Sequence, residues 1–276
     1  MIRHARLPVI AAVLCSAMFF LTGCTKLKAR DQLNKGVEAF KTAHYDVAIG
    51  HFQQATDLDP TLPMARLYLA TAYAQQVIPN MQSAENMKNA NLAIQNFQKV
   101  LDQNPSTKDR INALKGIASL YLNTQQFDKA KEYQNKVLAL DPTDASAEYT
   151  IGVIDWTLAY KNSIPVRQSF GLHDDGTPIK DKKACAALAE KNGPIIQEGM
   201  DALNKAIQMR PNYDDAMAYI NLIYRRKAAD LECGNPDAAK ADVAQADQWV
   251  QKDLAARKAN EIKKNQQTPK GIVLGH

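Results

Sequence analysis

The chain has 276 residues, with 34 basic side chains against 29 acidic and a formal charge of +5. That length suits one large domain or one repeat array. The charge is mild and dispersed, and no basic run carries interleaved aromatics, so no nucleic-acid partner is expected.

The chain opens on Arg3 and Arg6, followed by an apolar run over residues 7–21. A charged start before an apolar stretch is the layout of an export signal, and the run falls short of the ~20 residues a membrane span takes. It ends in Leu21, Thr22, Gly23 and Cys24. Those four residues resemble the lipobox of bacterial lipoproteins; an uncleaved signal anchor is the other reading of the segment. The resemblance implies that residues 1–23 are a signal peptide, that Cys24 becomes the lipidated N-terminus, and that palmitate-type acyl chains hold the protein on a membrane. Cleavage would remove two basic residues and no acid, leaving +3. Residues 24–30 are then a short leash reaching about 20 Å at full extension. Its Lys26, Lys28 and Arg30 fit either anionic headgroups, at about 1 kcal/mol per charge, or plain solvation. Thr25, rather than Asp, follows the cysteine. In lipoproteins of two-membraned bacteria this implies the periplasmic face of the outer membrane.

Beyond the leash, four prolines close apolar helical patterns at Pro60, Pro105, Pro142 and Pro211, each followed within three residues by Thr, Ser or Asn able to cap a helix. Twelve residues before them stand Ala48, Ala93, Ala130 and Gly199. With Gly36, Tyr45, Phe52, Ala55, Ala70, Tyr73, Phe97, Ala118, Tyr121, Phe127, Gly152 and Ala206, this pattern resembles the tetratricopeptide repeat (TPR), a pair of antiparallel helices. A degenerate fifth copy offers Tyr224, Ala239 and Ala246. The resemblance covers about 31–255. It implies an all-α fold, a right-handed superhelical TPR solenoid of about five helix pairs in a domain over 31–265, because single pairs cannot bury their apolar faces alone. Residues 236–264 read as one long capping helix with charges spread around it, and 266–276 as a disordered tail.

The spacing breaks in three places. Where the family has twelve residues between its first two small positions, the second repeat has 23 (Ala70 to Ala93), the fourth 47 (Gly152 to Gly199) and the fifth 18 (Asn221 to Ala239). Insertions are therefore expected at about 75–90, 160–195 and 227–235, between the helices of a pair and so along one edge. In the largest, residues 166–172 alternate loosely, Asp175-Gly176 supplies a turn, and 177–180 returns, which predicts a short hairpin. Phe170 and Leu172 should be buried under it. A helix from Asp181 should follow and break at Asn192-Gly193-Pro194.

Cys185 and Cys233 remain after Cys15 and Cys24 are assigned to the signal and the anchor. An even remainder in an exported chain invites a disulfide between them, worth about 4 kcal/mol in the chain-entropy model; two separate buried thiols are the alternative. Neither a glycine-rich phosphate loop, a nucleophile elbow nor zinc-type His/Cys spacing is present, so catalytic residues, metal and cofactors are all expected to be none. The TPR resemblance places ligands on the concave face, along the first helix of each pair. Residue by residue this gives Val37, Phe40 and Lys41, then Leu67 and Thr71, then Lys115, Ser119 and Asn123. The fourth and fifth pairs give Tyr149, Val153 and Trp156, then Leu222, Arg225 and Arg226. Trp156 fits docking and core packing equally well, and Trp and Arg are frequent interface anchors. The lysine/asparagine/arginine carboxylate clamp of chaperone-binding members is incomplete here. The function expected is a lipid-anchored, non-enzymatic scaffold for cell-envelope proteins, resembling lipoproteins of barrel assembly, pilus secretion or cell-wall enzyme regulation. A regulator of a cell-wall enzyme or a structural spacer is the alternative, and an enzyme using the insertion of the fourth repeat is the least favoured reading.

Overall fold

The computed structural model describes residues 7–267 apart from 175 and 177. Among them there are ten helices and no strand: α1 (Leu7–Lys41), α2 (Tyr45–Leu58), α3 (Pro63–Gln75), α4 (Ala84–Asp102), α5 (Thr107–Asn123), α6 (Phe127–Leu140), α7 (Ala145–Ser169), α8 (Lys182–Met209), α9 (Asp214–Asp230) and α10 (Pro236–Gln267). The chain divides into two compact units, Met1–Tyr133 and Gln134–His276, and the division falls inside α6. In the first, α1 packs on α2 and α3 on α4; in the second, α7 packs on α8 and α9 on α10. The expected all-α architecture of helix pairs is found.

The small residues act as expected. Ala48, Ala55, Ala70, Ala93, Ala118, Ala130 and Ala206 are fully buried. A Cβ on Gly36 would lie 2.5 Å from the Phe52 ring, and one on Gly199 would meet Ile223 and Asp155 at 2.8 Å. Glycine is thus what lets α1 approach α2, and α8 approach its neighbours in the second unit. All four punctuating prolines lie between helices. Of the expected caps, Ser106 accepts from Asp109 N (3.2 Å). Thr61 and Thr143 do something else: each donates its backbone N–H to the aspartate two residues back, Asp59 and Asp141, at 3.0 Å. The cap of α7 is Asp144, which accepts from Ser146 N and Ala147 N.

Four expectations need correction. Residues 25–30 are not an extended leash: they continue α1, and Ala29 within them is fully buried. Lys, Leu, Ala and Arg are good helix formers, so docking at Ala29 extends the helix toward Cys24, and the reach shrinks to roughly 9 Å at 1.5 Å per residue.

The hairpin is the second. Residues 166–169 are the last turn of α7, no strand occurs among the described residues, and Phe170 is exposed rather than buried. Leu172 does join a small core of Ile179, Ala184, Cys185 and Leu188. Of the expected Asp175-Gly176 turn, Gly176 has φ +79°, while Asp175 lies outside the described residues.

Third, α8 does not break at Pro194. Cys185, Leu188, Asn192, Ile196, Gly199, Leu203 and Ala206 recur at helical spacing on one buried face, and α7 likewise runs through Pro165. A proline removes one hydrogen bond from a helix interior, and here burial of a continuous face outweighs that loss. The large insertion is therefore mostly longer helices.

Finally, α10 is not an extra cap behind the fifth pair: it is that pair's second helix, with Ala239, Ala246 and Ala256 buried. The residues of the expected disordered tail beyond Gln267, and the start at Arg3 and Arg6, lie outside the described residues.

Candidate protein-binding faces

In the first unit the insertion at 76–83 forms a loop in which one side chain makes three of the holding bonds. The Asn86 carboxamide accepts from Ile78 N (2.7 Å) and donates to the carbonyls of Ile78 (3.0 Å) and Met81 (2.8 Å). Asn80 N donates to the Asn123 carbonyl at 2.8 Å, tying the loop to the end of α5. Beside it, between α3 and α5, lies a groove of about 730 Å³ whose lining includes Leu67, Thr71, Gly116, Ser119 and Asn123, with Phe97 from α4 in its floor. Its volume is in the range of ligand clefts. Gly116 lets α5 close onto α4 at its floor: a Cβ there would sit 2.5 Å from the Phe97 ring.

Leu67, Thr71, Ser119 and Asn123 are thereby brought together. Phe40, Lys41 and Lys115 are not part of this groove. Phe40 packs edge-on against Tyr45 (5.3 Å between centroids) and Tyr68 (6.5 Å), Lys41 is exposed, and Lys115 is half-buried on α5.

In the second unit, α7 and α9 carry a line of aromatic rings. Tyr213 lies 5.0 Å from Tyr149, Tyr149 is 5.8 Å from Tyr219, Tyr219 is 5.5 Å edge-on to Trp156, and Trp156 stacks on Tyr160 at 5.6 Å. Arginines close both ends: Arg210 lies over Tyr213 at 4.1 Å and Arg226 over Tyr160 at 5.2 Å. Tyr149, Tyr219, Trp156 and Tyr160 are half-buried, so one side of the strip reaches solvent. Burial, then the neighbouring Tyr219 and Asp215, pushes the Tyr149 phenol well above its ordinary range. Burial also raises Tyr213, against the opposing pull of Arg210. Both stay protonated donors near neutral pH.

Of the predicted residues here, Tyr149, Trp156 and Arg226 share the strip. Arg225 does not: it turns to α10 and pairs with Asp247 at 2.6 Å. Adjacent helical residues point about 100° apart, so the two arginines could not both join one face.

Tyr149, Trp156 and Tyr219 pack on an apolar core, but sequence reasoning missed what lies behind the Arg226 end. Arg167 and Asp230, 2% and 0% exposed, form a buried ion pair: Nη2 donates to Asp230 Oδ1 and to the Ala229 carbonyl, both at 3.0 Å. Ser163 donates to Asp230. The buried Asn192 amide donates to the Ala159 carbonyl (3.0 Å) and reaches Asp230 (3.3 Å). Arg226 grips Asp174 with two bonds, Nη1 to Oδ1 at 2.8 Å and Nη2 to Oδ2 at 3.2 Å. Burial works against the charge on Arg226, but Asp174 and Asp230 outweigh it and hold its pKa above the usual value. The available signal was the pair of i,i+4 spacings, Ser163–Arg167 and Arg226–Asp230.

The insertion is stapled to this node. Cys185 and Cys233 form the expected disulfide, with Cα atoms 5.8 Å apart, over the Ile179–Leu188 core. Ile179 N donates to the Ala229 carbonyl (3.2 Å). At the other end of the chain, Cys24 is exposed and unbonded. No described helix is long and apolar enough to cross a membrane.

A tetratricopeptide-repeat family model matches residues 113–144. Solved structures with similar folds include MamA 41-end from Desulfovibrio magneticus RS-1, 16% identical with a TM-score of 0.55, covering 84% of this chain and 96% of that one. A second is the crystal structure titled MamA protein, also 16% identical, with a TM-score of 0.53 and coverage of 84% and 92%. No curated protein sequence matches the chain. The chain thus carries a recognisable tetratricopeptide repeat within the all-α, helix-pair fold of tetratricopeptide-repeat proteins.

Proposed function

We propose that this chain is a non-enzymatic scaffold that docks protein partners in the bacterial cell envelope, anchored through lipid on Cys24 at the periplasmic face of the outer membrane. The observation that carries the reading is the aromatic strip of α7 and α9. Large amphipathic rings with one side open to solvent, closed at both ends by arginines, have the composition of interface hot spots. A folded extended segment laid along α7 and α9 would cover Tyr149, Tyr219 and Trp156. The α3–α5 groove offers a second candidate face, a hollow rather than a strip of rings.

The anchor rests on the lipobox resemblance and on the exposure of Cys24. More than one acyl chain makes membrane attachment stable, at about 0.8 kcal/mol per buried methylene.

In-cell crosslinking followed by mass spectrometry tests the scaffold: Trp156→Ala and Tyr219→Ala should remove the co-purifying partner from a correctly folded chain. An unchanged set of crosslinks would favour the spacer reading. Metabolic labelling with a palmitate analogue tests the anchor, and Cys24→Ser should abolish incorporation.

A further inference from the structure

We infer that the Arg226 end of the aromatic strip is a recognition site for a partner's carboxylate, and that Asp174 of the insertion occupies it as an internal stand-in. This rests on the strip being the docking face proposed above.

Three observations point there. First, Asp174 lies 52 residues before Arg226 in sequence, yet both of its oxygens engage the guanidinium, at 2.8 and 3.2 Å. Paired bonds of that kind are how arginine recognises a carboxylate. Second, the two acids near Arg226 differ in kind. Asp230 is fully buried, accepts from Arg167, and stands 3.6 Å from Arg226. Asp174 is the solvent-reached one, its side chain 24% exposed against 11% for Arg226. Asp174 also stands 3.7 Å from Arg167 Nε, so an incoming acid that exchanges with it takes a place beside both arginines while Asp230 keeps its own bond to Arg167. Third, the guanidinium keeps donor capacity: its Nε is buried and donates to no described acceptor, so a carboxylate that uses it must first take the place of Asp174. A ligand approaching along the strip meets Trp156, then Tyr160, then this arginine.

The backbone delivers Asp174 from fixed points. Leu172 N donates to the Arg167 carbonyl (2.8 Å), and Arg167 Nη1 donates to the His173 carbonyl (3.1 Å). The exchange is thus one of side chains, with Asp174 competing at high effective concentration. The partner that fits is an extended segment bearing an Asp or Glu beside proline or an aromatic residue, since aromatic-lined faces take such residues.

The test uses the full chain in detergent and two fluorescein-labelled peptides, one with an aspartate between proline and phenylalanine and the other with asparagine in its place. Asp174→Asn should raise affinity for the acidic peptide on the order of tenfold and leave the neutral one unchanged. Asp174→Glu should retain the native affinity, and Arg226→Gln added to Asp174→Asn should erase the gain. If both peptides bind in a Trp156-dependent way but Asp174→Asn does not separate them, this inference falls and the docking face stands. If neither peptide binds any variant, both fall.

Discussion

The α3–α5 face and the α7–α9 face are built on the same helix-pair plan and come out as opposites. In the first unit small side chains (Thr71, Gly116, Ser119) leave a hollow over an apolar floor. In the second, five rings from α7, α9 and the α9 N-cap form a continuous strip; Tyr149, Trp156 and Tyr219 pack on an apolar core that includes Ile196, Leu203 and Ile223, and an ionic node stands behind the Arg226 end alone. Small side chains suffice for a recess because the helices beneath already pack. A strip of large rings needs backing along its length: α8 and α9 supply it with Ile196, Leu203, Ile220 and Ile223, and at the Arg226 end Arg167, Asp230 and the disulfide-held insertion take over.

The sharpest way to break this contrast is Asp230→Ala. It leaves Arg167 buried without its carboxylate, which should cost the second unit about 3–5 kcal/mol, and chemical denaturation should then show that unit unfolding before the first. Next comes Cys185→Ser with Cys233→Ser, where the 48-residue separation predicts a loss of about 2–4 kcal/mol. A denaturation midpoint that is the same with and without reductant would remove the staple from the account. In the first unit, Gly116→Val should overpack against Phe97 and close the groove, at about 1–3 kcal/mol. Differential scanning calorimetry reads that cost, and the strip should keep its partners.

The smallest effect is alkaline. Tyr149 has a folded pKa above the unfolded value of 10.0, so the fold favours its neutral form. That contribution is complete below pH ~10 and is lost as pH rises through the folded value. Unfolding followed by tyrosinate absorbance should begin above pH 10 and be shallower in Tyr149→Phe.

Much of the fold was legible because it rests on local rules. Alanine at fixed spacing means close helices, and proline after an apolar run means a turn; both hold at Ala48, Ala130, Pro60 and Pro142. The same rules misread Pro194 and residues 166–172. There the deciding fact is tertiary: Ser163, Arg167, Asn192 and Asp230 meet from three helices, and their mutual satisfaction keeps α7 and α8 intact. Nothing within a short window reports such a meeting. The site was legible in the same proportion. Tyr149, Trp156 and Arg226 follow from repeat position, while Asp174, the residue that engages Arg226, comes from the irregular segment after α7.

The unbroken course of α1 through residues 25–30 changes what an anchor at Cys24 would do. A string fixes only how far a cargo can wander. A rod fixes which way it faces, and here the rod is one and a half turns long and seated in the domain from Ala29 onward. Held by such a handle, the first helix pair would keep a preferred heading toward the bilayer, and the encounter with a partner would lose rotational freedom before any contact is made. Inserting two glycines between Lys26 and Leu27 would turn the rod back into a string, and partner crosslinks would then spread over more positions while the lipid stayed in place.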